Sequence, residues 1–217
     1  MTTVDELVGM REVQRRLRLV AILYGAQEAG LTPLPLDDIH NVAYFADALA
    51  PVWGLRIVDA QLLKRRSGAL SPILQHDLDL LVGQGVVQPF HVSHRLDADN
   101  SWRLDASYSL VETPARRILA AAQSFEQSLS HIEFIVELVQ AMSALGMKGI
   151  AQSSGQDATY ASSSIDYGSV VDLSGHNAST QVALRFGTLL EEDARLTRAE
   201  MIHLYVRELY KRLGHVA

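Results

Sequence analysis

Proline placement constrains this chain more than any other feature, because five of its six prolines lie between helical patterns or at their ends. In the stretch Leu31-Thr32-Pro33-Leu34-Pro35 each proline pushes the residue before it into extended geometry, so no helix crosses it. Upstream, Leu17, Val20, Ala21 and Tyr24 recur at three- and four-residue spacing, which predicts a helix over Arg11 to Ala29 that stops at Gly30. Downstream, Asp37 and Asp38 open a second helix with Ile39, Val42, Ala43, Ala46 and Leu49 on one face, and Pro51 is expected to end it. Ser71 before Pro72 is an N-cap with a first-turn proline. It starts a third helix, Pro72 to Val82, with Leu74, Leu78 and Leu81 turned inward and Gly83 and Gly85 closing it.

Strand patterns fill the gaps. Gln61 to Arg66 reads as an edge strand broken at Ser67-Gly68. Val86 to Val92 and Trp102 to Leu110 read as a hairpin, with Asp97-Ala98-Asp99-Asn100 supplying its turn. Three helices and then a hairpin is the element order of a winged-helix module, here residues 1–112. Thr113-Pro114 would cap the next helix. From there Ile118, Ala122, Phe125, Leu129, Ile132, Val136 and Val139 keep close to a 3.5-residue rhythm. That permits one long connecting helix over 113–146, ~48 Å for ~32 residues at the usual rise; two packed helices broken near Ser124 are the alternative. Residues 147–178 look irregular, yet Ile150, Tyr160, Ile165, Tyr167, Val170, Val171 and Leu173 are spread through them, so the segment is laid on a surface or ordered by a partner. A helical pair over 179–217 closes the chain: Ser179 to Glu192, and a last helix marked by the capping box Thr197/Glu200. The fold class is therefore mainly α.

Function classes narrow by exclusion. The chain has no cysteine, which removes disulfides, thiolate nucleophiles and Cys-based metal sites. A net charge of -6 argues against blanket coating of nucleic acid. With only 2 tryptophans, 5 phenylalanines and 7 tyrosines, a base-stacking platform is disfavoured. No run reaches the ~18–20 apolar residues of a membrane span, and Met1 to Arg16 lacks the apolar core of a signal peptide; a cytoplasmic protein is expected. There is no P-loop. Gly83 and Gly85 follow a helix, the wrong context for a dinucleotide site. His91 and His94 would point to opposite faces of a strand, while His76 and His131 read as surface residues. His40, His176, His203 and His215 have no partner at ligand spacing. The tracts Ser153-Ser154 and Ser162-Ser163-Ser164 lack the frame of a nucleophile. No catalytic residue, metal or cofactor is expected.

In a winged helix that reads DNA, the third helix enters the major groove. Here its outward side chains are expected to be Gln75, His76, Asp77 and Asp79, and carboxylates repel a polyanion. The dense cation cluster is Lys64-Arg65-Arg66, with Arg95 and Arg103 on the wing. These five could contact phosphates without reading sequence; equally, they could be a solvated strand end relieving an exposed sheet edge.

Val20-Ala21-Ile22-Leu23-Tyr24, Asn41 to Leu49, Ser71 to Leu81 and the later run Gln156 to Tyr160 with Ile165 to Leu173 resemble the middle component of bacterial ABC-three-component systems, built round an SMC-like ATPase, to which Lamassu-type defence systems belong. The resemblance spans most of the chain and rests on hydrophobic patterns. It implies a non-catalytic accessory subunit bound to the ATPase subunit and to a separate effector, often a nuclease, in anti-phage or anti-plasmid defence. Asp157, Tyr160 and Tyr167 would pin the 147–178 segment to the protein's own body or to the ATPase. The competing expectation is a winged-helix transcriptional regulator or antitoxin-like DNA-binding dimer, paired through the helix after the wing. An enzyme is the third class.

Overall fold

The computed structural model describes residues 4–96, 100, 102–175, 177–188 and 196–214. Among them the chain is mainly helical, with eight α-helices and two small antiparallel sheets.

Helix α1 (Val4–Glu28) begins earlier than its apolar stripe: Met10 and Val13 are exposed, and continuous burial starts at Arg18. Its end is closed by Gly30 in the left-handed region, φ 70°, with Leu31 N–H returning to the Ala26 carbonyl. Helix α2 (Leu36–Trp53) is enclosed on nearly every side, and Asp38, His40, Asn41 and Asp47 are buried along with its apolar residues. Pro51 does not end it. The proline removes one backbone donor, but only a few residues follow, and Gly54 and Leu55 N–H take the Pro51 and Ala50 carbonyls.

Strand β1 (Leu34–Pro35) precedes α2. After α2 come β2 (Gln61–Arg65) and β3 (Gly68–Leu70). The β2 strand is not an edge: β6 (Val170–Asp172) pairs on its other side, with Leu62 opposite Val171, so the order is β3-β2-β6. Gly68, φ 120°, lets the backbone approach Asn41, whose Oδ1 a Cβ there would meet at 3.0 Å. Asn41 in turn accepts from Ala69 N–H and donates to the Ala151 carbonyl.

Helix α3 (Pro72–Gly83) starts as expected, with Ser71 Oγ accepting from Leu74 N–H at 3.2 Å. Leu74, Leu78 and Leu81 are buried, and so is Asp77, which corrects its outward assignment. Asp77 accepts from Arg15 Nε at 2.6 Å and Arg16 Nε at 3.2 Å.

Strands β4 (Val87–Leu96) and β5 (Trp102–Leu110) form the hairpin, irregular between Phe90 and Ser93, where His91 has φ 52°. Asp97, Ala98 and Asp99 of its expected turn lie outside the described residues; Asn100, φ 63°, has turn geometry. The β1 strand lies on β5, Leu34 opposite Tyr108, giving the order β1-β5-β4.

The single long helix is replaced by α4 (Glu112–Ala122) and α5 (Glu126–Ser143), broken at Gln123–Phe125. Val111 rather than Thr113 takes the N-cap position of α4. Past the break, α5 buries Ile132, Phe134, Ile135, Leu138, Val139 and Met142, whereas α4 buries only Ala115 and Leu119. At the α1–α5 crossing a Cβ on Gly25 would sit 3.1 Å from Val139 Cβ, so glycine permits the close approach. The 147–178 segment is not irregular from its start: α6 (Gly146–Ser153) opens at Gly146 and runs into a 3-10 turn at Ser154–Gln156. Helices α7 (Ala178–Thr188) and α8 (Arg198–Gly214) complete the chain; the expected stretch Leu189 to Glu192 is outside the described residues. The capping box is present, Glu200 N–H donating to Thr197 Oγ1 and Thr197 N–H to Glu200 Oε2. One continuous apolar core joins α1, α2, α3, α5 and α8.

No single helix among the described residues is long and apolar enough to cross a membrane; α5 and α6 together have the composition, but they meet at 114°.

Candidate functional site

The turn between β2 and β3, the outer end of β4 and the segment from α6 to Tyr167 surround an open groove of about 550 Å³. Arg65, Arg66 and Arg95 line it, against a single aspartate, Asp37. Asp37 accepts from Arg95 Nη2 at 2.6 Å. Arg66 is exposed and its guanidinium stands 5.2 Å above the Tyr167 ring. Three of the five predicted phosphate contacts, and two of the three predicted partner contacts, Tyr160 and Tyr167, therefore meet in one place.

The other members sit elsewhere. Lys64 is 4% exposed, and its ammonium donates to the Ser162 and Ile165 carbonyls, each at 2.8 Å. Strand alternation explains it, since Lys64 shares the inward face of β2 with Leu62. Arg103 faces Arg95 directly across the hairpin. Tyr160 is buried; its hydroxyl donates to the Arg65 carbonyl and accepts from Arg65 N–H, both 2.8 Å, and burial pushes its pKa up to about 12. Tyr167 is exposed.

Asp157 is 0% exposed and collects five donors. They are the hydroxyls of Tyr44, Tyr205 and Ser179, and the backbone N–H groups of Thr159 and Tyr160. Burial and then the Asp157 charge push both tyrosine hydroxyls well above their ordinary range. The carboxylate ties α2, α7 and α8 to the segment that forms the groove's far wall. Sequence reasoning found Asp157 but missed its tyrosine and serine partners; the local signal was Asp157-x-Thr159-Tyr160, a carboxylate placed to accept from the next turn's amides.

A second buried polar group lies behind β2. Arg18 pairs with Asp47, whose other oxygen accepts from Val58 and Asp59 N–H. Nearby, His40 Nδ1 accepts from Ser71 N–H at 3.3 Å, while Ser71 Oγ donates to Asp59 at 2.8 Å. Serine, histidine and aspartate meet here, but the hydroxyl proton goes to the carboxylate rather than the imidazole, so no relay for a nucleophile forms. Burial pushes the His40 pKa down to about 4 and that of Asp38 up to about 7, helped in the latter by the Asp37 charge. Among the described residues no three His, Asp or Glu side chains come together as a metal site.

Asp38 gives a pH signature. Its folded pKa lies above the unfolded value of 3.8, so the native state holds the proton more tightly, and the stabilisation is lost as pH rises from about 4 through about 7. Asp38→Asn is therefore expected to raise the melting temperature at pH 8, by about 1–3 kcal/mol in stability, and to leave it nearly unchanged at pH 4. Thermal unfolding at both pH values measures this; an equal effect at the two would contradict it.

Compared with known proteins, the chain matches no family model, no curated protein and no solved structure.

Proposed function

We propose that this chain is a non-catalytic accessory subunit, built on a winged-helix module, that binds an SMC-like ATPase and bridges it to a nuclease effector in bacterial defence, and that its arginine groove contacts the phosphate backbone of DNA. The sequence resemblance supports the choice of partner. The winged-helix reading is supported by the pairing of β1 with β5, which closes helix, strand, two helices and hairpin into one three-stranded sheet; β2–β3 is an addition between the second and third helices. The observation that carries the DNA contact is the groove: three arginines against one aspartate, on a chain whose total is -6. Concentrating cations at one open surface is what backbone contact requires.

Co-expression with the flanking genes and a pull-down on this chain is expected to retain a large coiled-coil ATPase. In that complex Arg65→Glu with Arg66→Glu should lower DNA affinity about 10- to 100-fold and flatten the salt dependence, without releasing the subunit. Lys64 is left in place because it holds the fold. A lone monomer would overturn the partner assignment, and unchanged DNA affinity would remove the groove from it.

One observation favours the regulator reading. With Asp77 neutralised by Arg15 and Arg16, the exposed face of α3 carries Ile73, His76 and Asp79, one carboxylate rather than two. A sequence-preferring shift by the isolated protein would support it.

A further inference from the structure

We infer that Trp102 is the stacking face for one unpaired base, beside phosphates held by the arginine groove; the ligand is single-stranded or frayed DNA rather than intact duplex. This rests on the groove's contact with DNA. Of the two tryptophans, Trp53 packs on Phe134 with ring centroids 5.7 Å apart, whereas Trp102 is 71% exposed. Its cross-strand partner is Leu96, 50% exposed, and opposed residues in an antiparallel pair share a sheet face. Leu96 also lines the groove, next to Arg95. An indole and an isobutyl group thus stand in water on one face of the hairpin's end, while the preceding pair, Arg95 opposite Arg103, projects from the other face.

Charge selects the occupant. An apolar pair that meets a cationic groove through Leu96 suits a partner that is anionic along its length and flat and apolar at intervals, and a single strand meets both terms: the backbone follows the arginines and an unstacked base, turned round the edge of β4, covers the ring. Duplex DNA keeps its bases paired and offers the ring only their edges. The other exposed aromatic at the groove, Tyr167, has its ring faced by Lys64 and Arg66, at 5.3 and 5.2 Å, so it serves the cations. The low aromatic content argues against an extended platform; it leaves room for a clamp on one base.

The experiment is intrinsic fluorescence of the full chain titrated with oligothymidylate and with a blunt duplex of equal length. Oligothymidylate is expected to quench Trp102 emission and to bind about 10-fold more tightly than the duplex at low salt. Trp102→Ala should cost about 10-fold in single-strand affinity and less than about 2-fold for duplex, and Trp102→Phe should restore most of the loss while removing the quench. Equal affinity for both forms, or a Trp102→Ala chain that binds single strands as before, overturns the inference. The groove itself survives that result if the Arg65 and Arg66 reversals still weaken both forms, and falls with it if they weaken neither. Loss of a protein from the pull-down with Trp102→Ala, at unchanged strand affinity, also overturns it.

Discussion

Asp157→Ala is expected to destabilise the native state by about 3–5 kcal/mol and to loosen the segment between α6 and α7 ahead of global unfolding. The carboxylate has no exposure, so its removal leaves three hydroxyls and two backbone N–H groups without an acceptor in a dry interior. Each buried unsatisfied donor costs on the order of 1–3 kcal/mol, reduced where the hydroxyls re-pair, as Ser179 and Thr159 already do with one another. Asp157→Asn keeps the shape but presents an amide where acceptors are needed, so it should recover less than half of the loss. Urea unfolding gives the stability change, and hydrogen exchange at Thr159 and Tyr160 reports the local opening. A cost under about 1 kcal/mol would show that water replaces the carboxylate. The effect reaches the groove: Tyr160 N–H is one of the five donors, and its hydroxyl holds the backbone of Arg65. On the proposed DNA contact of the groove, affinity for DNA should therefore fall in Asp157→Ala although the residue lies far inside.

The features legible in the sequence are those decided within one turn of chain. Ser71-Pro72 and the Thr197/Glu200 box act on neighbouring amides, and both form as read. The 3.5-residue rhythm allows one helix or two, and α5 packs against α1 through a contact distant in sequence, where Gly25 admits Val139. Asp77 was misplaced for a different reason. Positions 74, 77, 78 and 81 form one buried stripe at i, i+3, i+4 and i+7, and a carboxylate enters such a stripe only with paired cations. Those cations are on α1, so the sequence pattern could show the position but not the partner. The basic cluster was visible as Lys64-Arg65-Arg66, but strand alternation divides it, sending Lys64 inward and leaving the arginines to the groove. Arg95 and Arg103 are both expected on the wing as further phosphate contacts, and the hairpin register brings Arg95 to the groove while Arg103 stands across from it on β5.

Asp47→Ala is the second large effect, expected at about 3–5 kcal/mol, because it strands the Arg18 guanidinium inside the protein. Arg18→Met should cost less, about 2 kcal/mol. Asp47 then keeps the Val58 and Asp59 N–H donors, and burial already pushes its pKa upward, so it can take a proton. The double variant Arg18→Met/Asp47→Leu removes both charges and should fall well below the sum of the singles, leaving mainly the two orphaned amides. A double-mutant cycle by urea unfolding measures the coupling, and additive singles would mean that the pair contributes nothing beyond its separate members. The position of those amides makes the measurement informative about function as well. Val58 and Asp59 lead into β2, so Asp47 fixes where the strand begins and hence where its far end delivers Arg65 and Arg66. On the proposed DNA contact of the groove, Asp47→Ala should weaken DNA binding while Arg18→Met, which leaves both amide bonds intact, should not.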